Sequence, residues 1–216
     1  IDRAKTTLKG KADPMSIFLT LDNTVRSEFG FSCADQLVFN IALKTREIDC
    51  DTLSYIYVSI GEVMGYPVRL VWIPKHVFVR WDPDGKHDSF NKDVPVNMGD
   101  VNWDSRAGES IDDSSYTEDT EAVGSMFMKS MTYEEALSDI YFNTYLSYKV
   151  DYSSSESEKR DKKTKLGLLS KAIDLNPIWY LLYDARVSLW DSSSEGMKKA
   201  DDDRQKAKEL RVFVER

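Results

Sequence analysis

Residues 50–82 read CDTLSYIYVSIGEVMGYPVRLVWIPKHVFVRWD. Leu53, Ile56, Tyr57, Ile60, Val63 and Met64 recur at helical spacing, which predicts one apolar helix face. Gly65 then supplies a helix stop, with Pro67 just beyond it. Val68–Ile73 and Val77–Trp81 are rich in β-branched and aromatic residues and predict two buried strands. Cys50 stands at the start of the helix and His76 at the start of the second strand. Such a helix-strand-strand unit allows a thiol and an imidazole to meet.

A cysteine at a helix N-terminus has a physical motive. The terminal amides and the positive end of the helix dipole favour thiolate over thiol, and a nearby imidazolium does so more strongly. Asp49 and Asp51 flank Cys50 and oppose this, because a carboxylate disfavours a second anion beside it. Net activation therefore requires the histidine. The bland alternative makes Cys50 a small buried hydrophobe and His76 an ordinary strand residue, which an arbitrary Cys and His usually are.

The words around the two residues add to this reading. Arg46–Asp51 (REIDCD), Gly65–Val68 (GYPV) and Pro74–Trp81 (PKHVFVRW) follow one another in order. Together they resemble the bacterial transglutaminase-like superfamily, in the branch where the core precedes tetratricopeptide-like helices. The resemblance covers about residues 15–120 well and the C-terminal helices loosely. It implies a Cys opening a helix, a His beginning the next-but-one strand, and an Asp or Asn on the following strand that orients the His.

The third block is Val101–Gly108 (VNWDSRAG), which resembles the family's Asn-Trp-Glu-Thr-Thr-x-Gly block. Asn102 and Asp104 are two apart and on a strand would share a face. Asn102 ranks first as the orienting residue, since an amide serves in Cys-His-Asn proteases; Asp104 is the other candidate. The chain departs from the family in having Asp104-Ser105 where Glu-Thr is usual, and in a longer polar stretch at Pro83–Met98.

Composition fits this. The 216 residues suit one moderate domain and a small addition. A formal net charge of −8 argues against nucleic acid as a partner. No apolar run approaches the roughly 20 residues of a membrane-spanning helix. The first residue is Ile1 rather than Met, and the compartment is left open between cytoplasm and export. Cys33 and Cys50 are too few for a disulfide framework, and a bridge between them would mask the nucleophile. His87 lies in a Pro/Gly/Asp-rich loop with no metal-ligand spacing such as HxH or HExxH, so neither metal nor cofactor is expected.

Upstream, Asp13-Pro14 predicts a helix start, with Ile17, Phe18, Leu21 and Val25 inward and Gly30 at the end. Ala34–Leu43 reads as another helix with Leu37, Val38 and Ile41 inward; Gln36 and Asn40 on it are candidates for an upstream amide oxyanion donor, against the commoner reading of exposed polar positions. Glu109–Glu121 is an acidic run of the kind that forms a solvated loop.

From Thr132 the pattern is helical. Thr132 and Glu135 form a capping-box signature ahead of Ala136, Leu137, Ile140, Tyr141 and Tyr145. Ser153–Lys163 reads as a polar loop, followed by a helix through Leu166, Leu169, Ala172 and Ile173 that stops at Asp174–Pro177. Further helices run from Ile178 to about Trp190 and from Glu195 onward.

The expected fold is α+β. Residues 1–131 form a papain-like/transglutaminase-like core of N-terminal helices and antiparallel sheet, and residues 132–216 a tetratricopeptide-like helical appendage packed on it. The resemblance implies acyl transfer on a peptide or carboxamide, with Cys50 as nucleophile, His76 as base then acid, and Asn102 or Asp104 orienting the ring. Either hydrolysis (protease or amidase) or transamidation is compatible with these residues. The rival expectation is an inactive core that serves as a scaffold for a protein partner.

Overall fold

The computed structural model describes residues 14–34, 38–73, 76–83, 97–98 and 129–214. It divides into two compact units, Ile1–Thr132 and Tyr133–Arg216. The described elements mix helix and sheet. Among them, no helix is long and apolar enough to cross a membrane.

The first unit is built on the helix predicted from residues 50–64. That helix, α3 (Cys50–Met64), follows α1 (Pro14–Asn23), β1 (Ser32–Cys33), α2 (Phe39–Thr45) and β2 (Glu47–Ile48). It precedes β3 (Val68–Ile73), β4 (His76–Trp81) and β5 (Asn97–Met98). Residues 52–58, Ile60 and Gly61 of α3 are all buried, so the helix is covered on more than its expected face. Val63 departs from the predicted stripe, at 47% exposure, and Met64 is half-buried. Gly65 ends α3 in the left-handed region at φ 72°, which a residue without Cβ adopts readily.

β3 and β4 form an antiparallel hairpin, with Val68 opposite Trp81 and Ile73 opposite His76. β5 adds to β4 antiparallel, Val79 facing Met98. This two-residue strand lies inside the stretch read from sequence as loop; two residues are too few for periodicity to register. Val68, Leu70, Val71, Val77, Phe78 and Val79 are buried, the continuous pattern of strands covered on both faces. The free edge of β3 is capped by residues far along the chain: Met131 N–H donates to the Leu70 carbonyl at 2.8 Å, and Ser130 bridges Val71.

α1 buries Ile17, Phe18 and Leu21 as predicted, and Val25 in the π-helical turn that continues it (Thr24–Glu28). Phe18 packs edge-on against Trp81 at 6.2 Å between ring centroids. The helix expected over Ala34–Leu43 starts later, at Phe39, because Ser32–Cys33 is drawn into a parallel pairing with Glu47–Ile48. Ala42 is the buried residue and Ile41 is 40% exposed, while Phe39 meets Tyr55 edge-to-face at 5.7 Å.

The second unit is helical: α4 (Tyr133–Ser147), α5 (Ser155–Leu175), α6 (Tyr180–Val187) and α7 (Ser194–Val214). α4 packs with α5, α5 with α6, and α6 with α7. The expected polar loop at Ser153–Lys163 is a correction, since most of it is the first half of α5. Ser154 caps it, accepting a bond from Ser157 N–H at 3.0 Å, and Glu158 pairs with Lys162 across one turn. Its face is solvated, so hydrophobic spacing gave no signal there. Leu137 also departs, at 43% exposure, whereas Ala136 is buried. The core gathers Leu169, Ala172, Leu182 and Trp179, whose ring meets Phe142 at 5.0 Å. Arg186 grips Asp203 through two bonds, and Trp190 donates to the same carboxylate at 2.7 Å.

Candidate functional site

Cys50 is held from both sides by short-range structure. Upstream, Arg46 closes α2 in the left-handed region at φ 61°, and Glu47–Ile48 is pinned to Ser32–Cys33 as β2. Asp49 is then the N-cap of α3. Its carboxylate accepts the Thr52 N–H at 2.8 Å, and the Thr52 hydroxyl accepts the Asp49 N–H at 2.9 Å. This reciprocal pair fixes the first turn, and Cys50 is its first residue. The Asp-x-x-Thr spacing was visible in the sequence, where Asp49 registered only as a charge.

The Cys50 thiol is free and half-buried. Burial is the chief influence on it, pushing the thiol up from its ordinary 9.0 to about 12. The Asp51 and Asp49 carboxylates act in the same direction, as their charge dictates. The backbone N–H groups of Val77 and Asp51 lie near the sulfur, favour its charged form and oppose the rise. The thiol is therefore protonated at neutral pH, and the helix N-terminus alone does not ionise it.

The nearness of the Val77 N–H sets the geometry. It brings the Cys50 sulfur to the beginning of β4, whose first residue is His76. α3 packs across β3 and β4, which is what brings the two elements together. The structure describes the backbone of His76, and the imidazole lies outside what it describes. Asn102 and Asp104 lie outside the described residues, as do His87 and the acidic run at 109–121. Asn40 is exposed on α2.

One residue went unnoticed in the sequence. Ser54 follows Cys50 by four positions, on the same side of α3. Its side chain is fully buried, and its hydroxyl has no hydrogen-bond partner among the described residues. Ser at this position carries no sequence signal, because only packing shows the hydroxyl to be enclosed. Among the described residues, no group of three or more His, Cys, Asp or Glu is disposed to hold a metal ion.

No known protein family and no curated protein matches this chain.

Proposed function

We propose that the first unit is a transglutaminase-like cysteine acyl-transfer enzyme with a papain-like core. The observation that carries this reading is the packing of α3 on β3 and β4, which sets the Cys50 thiol near the Val77 N–H, beside the start of the strand that His76 opens. The sequence resemblance in the blocks around Arg46–Asp51, Gly65–Val68 and Pro74–Trp81 supports it independently.

The chemistry follows from the protonated thiol. His76 accepts the Cys50 proton as sulfur attacks a carboxamide or peptide carbonyl, so that the S–C bond forms without a free buried thiolate in the resting state. The C–N bond then breaks as His76 returns the proton to the departing amine or ammonia. Water completes hydrolysis of the thioester; an amine completes transamidation. Asn102 or Asp104 orients the ring.

The test is release of ammonia or amine from glutamine-containing peptides, followed with and without an added primary amine. Wild type releases it, whereas Cys50→Ala and His76→Ala do not. A thioester adduct on Cys50, found by mass spectrometry after acid quench, places the step. No release by any variant, and no adduct, refutes the enzyme reading.

A second reading is favoured by a specific observation, the rise of the thiol to about 12 through burial and two carboxylates. Such a thiol is chemically quiet. On this reading the first unit is an inactive scaffold for a protein partner, and Cys50→Ala leaves every function of the chain intact.

A further inference from the structure

The helical unit contains a cleft of about 310 Å³ between the first half of α5 and the turn that leads from α6 into α7. Leu166, Leu189 and Trp190 form an apolar wall, and Lys159, Lys162, Lys163 and Lys199 surround it. In a chain of net charge −8, four lysines around one aromatic ring run against the average.

The lysines are not equivalent. Lys162 is committed to Glu158 at 2.6 Å. Lys199 is paired with Glu195 at 2.6 Å, and its ammonium lies 5.3 Å from the Trp190 ring centre. Lys159 and Lys163, one turn apart on α5, are exposed and form no ion pair with any described residue. The rim carboxylates are also engaged: Asp191 accepts the Ser193 N–H at 3.1 Å and the Ser193 hydroxyl, and Glu195 holds Lys199. What the cleft leaves unsatisfied is positive charge beside an apolar wall.

We propose that this cleft docks a short acidic segment of a partner protein, with one apolar or aromatic side chain on Leu166, Leu189 and Trp190 and flanking carboxylates on Lys159 and Lys163. The volume sits at the low end of the range for specific ligand sites and suits one side chain with its flanks. Charge complementarity selects the sign of the partner. A nucleic acid has the same sign, but the cleft offers one aromatic ring and two uncommitted lysines, which fit one side chain with its flanking carboxylates and not a run of phosphates. The cleft lies within the second unit, and the proposal stands whether or not Cys50 is catalytic.

The experiment uses the full chain and fluorescein-labelled peptides, read by anisotropy. One peptide has a central Phe flanked by Asp and Glu; its twin has Asn and Gln in their place. The acidic peptide should bind about tenfold tighter than its twin and weaken several-fold on raising the salt from low to physiological concentration. The double variant Lys159→Glu/Lys163→Glu should lose that preference with an unchanged melting curve, since both side chains are exposed. Lys208→Glu, an exposed lysine of α7 that does not line the cleft, should retain it. Equal affinity for the two peptides overturns the proposal, as does unchanged binding in the double variant or tighter binding of an oligouridylate.

Discussion

Gly61 of α3 lies so close to Val68 of β3 that a Cβ on the glycine would stand 2.7 Å from the Val68 Cβ. The helix that presents Cys50 and the strand that opens the hairpin therefore meet without an intervening side chain. Gly61→Ala must push α3 off β3, because the obstructing atoms belong to the stiff, β-branched Val68. The expected cost is about 1–3 kcal/mol, the range for overpacking a core. Chemical denaturation measures it. An unchanged midpoint in Gly61→Ala would show that the approach is looser than described.

The cap at Asp49 should matter to stability more than its charge suggests. Asp49→Ala removes the acceptor of the Thr52 N–H and one of the two carboxylates beside Cys50. The loss of the cap should destabilise by about 1 kcal/mol. Asp49→Asn keeps an acceptor and should cost less, while both variants should lower the Cys50 pKa. Melting curves and thiol titration separate the two effects.

The raised Cys50 pKa sets a pH dependence with a definite sign. The folded value, about 12, lies above the ordinary 9.0, so the folded state holds the proton more tightly than the unfolded chain. That contribution to stability is fully present below about pH 9 and is lost as pH rises from there through 12. Cys50→Ala should therefore flatten part of the alkaline loss of stability in that window. Buried Tyr57, also raised by burial and by Asp22, supplies alkaline loss that the substitution leaves untouched. Alkylation of Cys50 by iodoacetamide should be slow at pH 7 and climb steadily to at least pH 10. A rate plateau below pH 8 would mean a preformed thiolate–imidazolium pair instead.

In the helical unit, Asp203 accepts two bonds from Arg186, at 2.9 and 2.7 Å, and one from Trp190. Asp203→Ala leaves a largely buried guanidinium and an indole N–H without their acceptor. The cost should be about 3 kcal/mol, the low end for breaking an enclosed pair because Arg186 keeps some solvent contact. Asp203→Asn should fall between, since it retains acceptors but not charge. Thermal melts of the two variants check the order.

Much of the first unit could be read directly from residues. The α3 stripe, its stop at Gly65, the β3–β4 hairpin and the inward face of α1 each follow from local spacing. Local spacing failed where structure depends on distant partners. Residues 32–33 became β1 because Glu47–Ile48 lies beside them, and α2 begins only at Phe39, with Ile41 outward. The first half of α5 failed for the opposite reason, since a helix with a solvated face shows capping and ion pairing but no apolar period.

For the candidate site the division is similar. The sequence by itself determined that Cys50 opens a helix behind an acidic residue and that His76 opens a strand, because caps, stops and strand composition are local properties. Only the tertiary structure decided that the two elements meet, through the Val77 N–H at the Cys50 sulfur. It also decided that burial outweighs the helix N-terminus in setting the thiol's charge, and that Ser54 is enclosed one turn below. Desolvation is a sum over everything packed around a group, and residues distant in the chain supply most of that packing.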